Sequence, residues 1–150
     1  MSGNYYFEDD AKQVIRENLL NEKADQLAES FKQGDFNSRP KREPLSQTQL
    51  RRFFNDVQQL QKKYEHQWRD AERQAKLNEN DAKRQAFPRI KPHVKMLKSK
   101  VAYAFEKIPP SFETFMNESI EQVSDHHDFD AFLAHFEAVV GFSKKHLKKN

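Results

Sequence analysis

Residues 45–76 read LSQTQLRRFFNDVQQLQKKYEHQWRDAERQAK, and this stretch decides the fold. Apolar side chains recur at Leu50, Phe53, Phe54, Val57, Leu60, Tyr64, Trp68, Ala71 and Ala75. Steps of three and four keep them on one side of a helix. Ser46 and Gln49 have the spacing of a capping box, and Leu45 with Leu50 that of a hydrophobic staple. The pattern predicts a helix from Ser46 to about Asn80, roughly 50 Å long at its rise per residue.

Working outward, a helical pattern precedes it at Ala11, Val14, Ile15, Leu19, Leu20, Ala24, Leu27 and Phe31, with Asp9 and Asp10 at its start and Gly34 as its stop. Residues 35–44 hold two prolines with Arg39, Lys41 and Arg42, the signature of a basic linker. Downstream, Asn78–Pro88 is expected to turn the chain, with Pro88 and Pro92 in a loop and first helical turn. A stripe then runs from Ile90 through Val94, Leu97, Val101 and Ala104 to Ile108, stopped by Pro109 and Pro110. Ser111 is read as the cap of a short helix carrying Phe112, Phe115, Met116, Ile120 and Val123. Ser124–Asp128 is read as a turn, and a last helix follows from Phe129 to a lysine-rich end. The expected fold is all-α: an elongated helical bundle of about five helices with one long central helix. The chain of 150 residues is expected to be a single helical domain, with 1–44 as an N-terminal helix and basic linker.

Charge is sorted along the chain. Residues 38–107 carry 18 Lys and Arg against 8 Asp and Glu, a net of +10. The flanking segments carry net charges of −4 and −3. A basic middle between acidic ends points to a polyanion-binding surface. Hydrophobic residues are only 36% of the chain, so 13 Phe must supply much of the core, and the aromatics on apolar stripes are assigned to it. Tyr103 and Met96 lie off the stripe of their helix.

On a helical wheel Arg51, Asn55, Gln58, Lys62, His66, Arg69, Arg73 and Lys76 fall within one sector of about 80° that holds no acid. Basic groups there can neutralise phosphates, and Asn and Gln can donate to phosphate or sugar oxygens. A second cluster places Lys91, Lys95 and Lys98 on one flank of the following helix. Arg51, Lys62, Arg69, Arg73, Lys91, Lys95, Lys98 and the neighbouring Lys100 are therefore the candidate polyanion-binding residues. The alternative is a structural helical protein whose basic face binds an acidic protein partner.

Catalysis finds no support in the motifs. The chain lacks Cys, a Gly-rich phosphate loop and a nucleophile elbow. His126-His127-Asp128 superficially suggests a metal site, but adjacent residues point in different directions and no further ligand motif accompanies them. No cofactor and no metal are expected. No apolar run is long enough to span a membrane, and the N-terminus lacks a secretion pattern, so no membrane partner and a cytoplasmic location are expected.

Leu45–Phe54 resembles the first motif of a known family. Met96-Leu97-Lys98-Ser99-Lys100-Val101-Ala102-Tyr103-Ala104 resembles its second, and Phe129–Phe142 its C-terminal helix. In this order, over roughly 45–145, the chain resembles the small subunit of the type III-A CRISPR effector, the Csm complex. That resemblance implies an all-helical, non-catalytic subunit. Several copies would stack in a filament beside the guide-binding backbone subunit and the large subunit. They would hold target RNA paired to guide RNA without reading its sequence. By motif it marks Arg51, Arg52, Lys98 and Lys100 as RNA contacts, and Tyr103 as the tyrosine of the second motif.

Overall fold

The computed structural model describes residues 5–147. Five α-helices lie among them: α1 (Glu22–Ser30), α2 (Gln47–Ala75), α3 (Glu79–Tyr103), α4 (Pro110–Glu121) and α5 (His126–Ser143). Short 3-10 turns at Glu17–Leu20 and Phe105–Lys107 complete the order. Two isolated bridges, Phe7 with Ile15 and Asp35 with Arg42, stand in place of strands. The all-α bundle with one long central helix is thus the architecture observed.

Helix α2 begins as its sequence dictates. Ser46 is extended, and its side chain accepts from the Gln49 amide at 3.1 Å. The apolar face buries Leu50, Phe53, Val57, Leu60, Tyr64 and Trp68. Lys76 takes a left-handed conformation at φ 56° and ends the helix a few residues before the expected Asn80. Asn78 then caps α3 by accepting from the Asp81 amide at 2.8 Å. So short a connection makes α2 and α3 an antiparallel hairpin, the most extensive helix contact in the molecule.

A continuous series of aromatic rings forms the centre. Phe112 meets Phe31 and Phe53, each at 5.1 Å between centroids. Phe115 links this group to Phe136 at 6.3 Å. Phe132 and Phe129 carry the series along α5 to Tyr64 of α2 and Phe87 of α3. The rings of α2, α4 and α5 and of Phe31, just past α1, are joined in one buried cluster with the α3 stripe.

Several local expectations are corrected. The helix expected from Asp9 starts only at Glu22, after the 3-10 turn. The Asp9 carboxylate instead accepts from the Gln13 and Val14 amides, Lys12 adopts φ 59°, and Val14 is exposed. A side chain that satisfies local amides competes with the helix in this way. Gly34 lies beyond the helix end; a Cβ there would sit 2.6 Å from the Arg42 carbonyl oxygen, so close approach is what requires glycine. The linker itself is fixed by Arg42, a buried cation that donates to the Phe105 and Ile108 carbonyls, pairs with Glu113 at 2.9 Å and lies over the Phe105 ring.

Pro88 and Pro92 lie inside α3, not in a loop before it. Both rings face outward. The stripe Ala82, Ala86, Phe87, Ile90, Val94, Leu97 and Val101 is buried through them without a break in period, and this burial offsets the hydrogen bonds that the rings remove. Pro109 occupies the cap position of α4, while Ser111 donates to the Ser30 carbonyl at 3.0 Å. Helix α5 starts at His126, with Asp125 accepting from the Asp128 amide, so His126-His127-Asp128 is a first helical turn. It ends at Ser143, and Lys144 and Lys145 follow it. Lys148 and Lys149 of the expected lysine-rich end lie outside the described residues.

Two stability outcomes follow. Phe112→Ala removes the ring on which three helices meet and should cost about 3–5 kcal/mol in urea unfolding. Pro88→Ala, at an exposed position in a helix interior, should raise stability by about 1–2 kcal/mol once the greater freedom of the unfolded chain is allowed for.

Candidate nucleic-acid interface

Only part of α2 is covered. Its apolar face meets α3 on one flank and α5 on the other, with Phe54 stacked on Phe136 at 6.3 Å. The sector holding Arg51, Asn55, Gln58, Lys62, His66, Arg69, Arg73 and Lys76 is left over, and all eight side chains are exposed. The stripe runs roughly 37 Å along the helix. Asp70 reaches Arg73 from the neighbouring flank, and Arg69 lies 4.8 Å from the Trp68 ring centroid. Arg51 and Lys62 make no ion pair among the described residues.

The remaining candidates are distributed differently. Arg52 is exposed on the other flank of α2, and Lys91 is exposed on α3; neither makes an ion pair among the described residues. Lys100 pairs with Asp56 of α2 at 3.5 Å, and Lys98 with Glu121 of α4. Lys95 donates to the Ile120 and Val123 carbonyls at 2.7 and 2.8 Å. Its ammonium supplements the Val123 amide at the Ile120 carbonyl and supplies the donor for the Val123 carbonyl just past the end of α4. Burial, with Lys91 and Lys98 adding to it, lowers its pKa.

The α2 stripe and the Lys91–Lys98 flank therefore do not merge. The first borders α5 and the second borders α4. The outer face of α3, with Pro88, Pro92, Met96 and Tyr103, lies between the Lys91–Lys98 flank and α2. Tyr103 is 95% exposed and packs on no other helix of this chain, while Met96, at 57%, borders a groove with Asp56, Gln59 and Leu60 of α2. Sequence reasoning missed Lys144, which lines one cleft with Arg51 and extends the stripe past the start of α2. Lysines after a final helix read naturally as dipole partners, and only the packing of α5 on α2 brings Lys144 there.

The His126-His127-Asp128 turn is held by protein groups. His126 Nε2 is 2.8 Å from Asn80 Oδ1. Asp128 accepts from Lys12 at 3.0 Å and from Ser124. Burial, followed by the neighbouring His127, pushes the His126 pKa down to about 4. Burial also lowers that of His135, against the opposing hydrogen bond to the Leu19 carbonyl.

A histidine with a depressed folded pKa is protonated first in the unfolded chain. Its contribution is complete above pH 6.5 and is lost as pH falls from there toward 4. The urea midpoint should therefore drop between pH 7 and about 4.5, and His126→Gln should make that drop smaller. Lys95→Met should cost about 1–3 kcal/mol by leaving the Val123 carbonyl without a donor, measured at neutral pH.

No helix among the described residues is long and apolar enough to cross a membrane. Comparison with curated proteins and with solved structures finds no match. A model of the family described as Csm2 Type III-A matches residues 15–149, which includes every helix described above and every candidate RNA-binding residue. The chain therefore belongs to the Csm2 Type III-A family, and is a structural subunit of the type III-A CRISPR complex that associates with the other Csm subunits.

Proposed function

We propose that this subunit holds RNA by its backbone, without reading sequence and without performing chemistry. Stacked copies would form a scaffold along the target RNA paired to guide RNA. The carrying observation is the exposed, acid-free stripe on α2, from Arg51 to Lys76. Its cations lie at intervals along a straight element and can neutralise successive phosphates, while guide pairing supplies specificity. Arg51, Lys62 and Arg69 are the principal contacts in this reading, with Lys144 beside Arg51. Arg52, Arg73 and Lys91 are secondary. Lys95 holds α4, and Lys98 and Lys100 tie α3 to its neighbours.

A few phosphate contacts bind weakly in one copy. Several copies along one filament multiply them through effective concentration. The acidic end segments, at net −4 and −3, offer a head-to-tail way to stack against the basic flank of the next copy, with Glu118 and Glu121 as candidates on the C-terminal segment. Glu118 and Glu121, however, are engaged within the chain by Tyr5 and Lys98. Stacking contacts are better sought outside that pair.

The test is fluorescence anisotropy on the isolated chain with two unrelated single-stranded RNAs over a range of salt. Affinity should fall steeply with salt for both. Arg51, Lys62 and Arg69 replaced together by Ala should weaken both RNAs alike and reduce the salt slope by roughly 2, at about 0.7 per phosphate contact. Loss of one RNA but not the other would replace backbone holding by base readout. The pure chain should leave RNA uncut with or without Mg²⁺ or Mn²⁺; cutting by the pure chain would overturn the non-catalytic reading.

A further inference from the structure

We infer that the cleft between α2 and α5, closed at one end by Lys83 of α3, receives an arginine side chain from a protein partner. This goes beyond the RNA reading and rests on different residues. The cleft measures about 290 Å³. That is just below the roughly 300–1,000 Å³ of pockets that take whole small molecules, a size suited to one long side chain. Phe54, Leu133 and Phe136 supply its apolar lining. Tyr64, Glu65, Asp130 and Glu137 supply its polar lining.

Charge selects the occupant. Lys83 is already bracketed by Glu79 at 2.9 Å and Asp130 at 3.1 Å. Glu65 of α2 and Glu137 of α5 have no ion pair or side-chain hydrogen bond among the described residues. The lining therefore carries an excess of carboxylate. Burial raises the Asp130 pKa even with Lys83 beside it, so a further cation would favour its charged form.

The second observation is independent of charge. Tyr64 is 1% exposed and lines the cleft, yet its hydroxyl has no hydrogen-bond partner. Asp130 is an acceptor beside the hydroxyl and, after burial, raises the phenol pKa, but the two do not form a well-made hydrogen bond, and the tyrosine oxygen accepts from no donor. A buried hydroxyl in that state is unfavourable unless something comes to meet it. A guanidinium offers five donors in a planar fork, enough for two carboxylates and the tyrosine oxygen together. Its flat face also suits the wall built from Phe54 and Phe136. A lysine ammonium has neither the fork nor the plane. Nucleic acid would bring its phosphates against Glu65 and Glu137, so the partner is a protein.

The test uses the full chain, ¹⁵N-labelled, titrated with N-acetyl-arginine methylamide and, in parallel, with the neutral citrulline counterpart. The arginine probe should shift the amide signals of Tyr64, Glu65, Asp130 and Glu137 and saturate in the millimolar range, about tenfold tighter than citrulline. Glu65→Gln with Glu137→Gln should weaken arginine binding at least about fivefold while leaving RNA affinity within about twofold. Tyr64→Phe, which keeps the ring packing, should weaken it about threefold. Equal binding of both probes, shifts scattered away from the cleft, or undiminished binding by the Glu65/Glu137 variant would each overturn the proposal. The Arg51, Lys62 and Arg69 triple variant should still bind the arginine probe, so failure of the RNA reading and failure of this one are separately visible.

Discussion

The ring series from Phe31 through Phe112, Phe115, Phe136, Phe132 and Phe129 is the contact on which the remaining structure depends. A chain with 36% hydrophobic residues has few side chains to place in a core. Large rings solve this, since each removes far more apolar area from water than an alanine or valine. Their positions are then restrictive. Phe53 and Tyr64 must face the rings of α4 and α5, which fixes the rotation of α2 about its own axis. Once that rotation is fixed, the sector from Arg51 to Lys76 has no side left but the solvent. The exposed basic stripe is thus a consequence of aromatic packing as much as of composition.

How much of this was legible depended on where each determinant lay. Helix α2 was legible because its cap, its staple and its stripe are all written within the element. The start of α3 was not, because two prolines locally signal a loop. The period nonetheless runs unbroken from Ala82 to Val101, and Asn78 stands three residues before Asp81 as a cap. Tertiary burial overrode the local cost. At the N-terminus the reverse occurred. Apolar spacing suggested a helix from Asp9, but the Asp9 carboxylate takes the Gln13 and Val14 amides for itself. Here the short polar side chain was the better guide.

The candidate site divides along the same line. A wheel identifies which cations share a face of one helix, and the α2 sector emerged from it intact. No wheel can show what stands opposite a cation on another element. Lys95 was read with Lys91 and Lys98 as a binding flank, yet its ammonium sits on carbonyls 25 and 28 residues away in sequence. Arg42 was read as part of a basic linker, and is a buried anchor between Glu113 and the carbonyls after α3. Lys144, unremarkable in sequence, comes beside Arg51.

The sorting of charge along the chain acquires a second meaning from these contacts. The acidic C-terminal segment meets the basic middle at Arg42–Glu113, Lys83–Asp130 and Lys98–Glu121. The two outer segments meet each other at Lys12 with Asp125 and Asp128, and at Asp25 with Lys145 and His146. The exposed pairs among these, Lys98–Glu121 and Lys145–Asp25, contribute little to stability, whereas Arg42–Glu113 and Lys12–Asp128 are largely buried and fix the helices in place more firmly. They also consume charge. The basic surplus of the middle segment is drawn down wherever an acidic element packs on it, along α3 and at the linker. It persists on the outer sector of α2, where the flanking carboxylates of Glu65 and Glu137 turn into the cleft beside α5 rather than onto the stripe. Helix α2 therefore carries a basic ridge and, through Glu65, one wall of an acidic notch completed by Asp130 and Glu137 of α5, with Gln58 on the border between them.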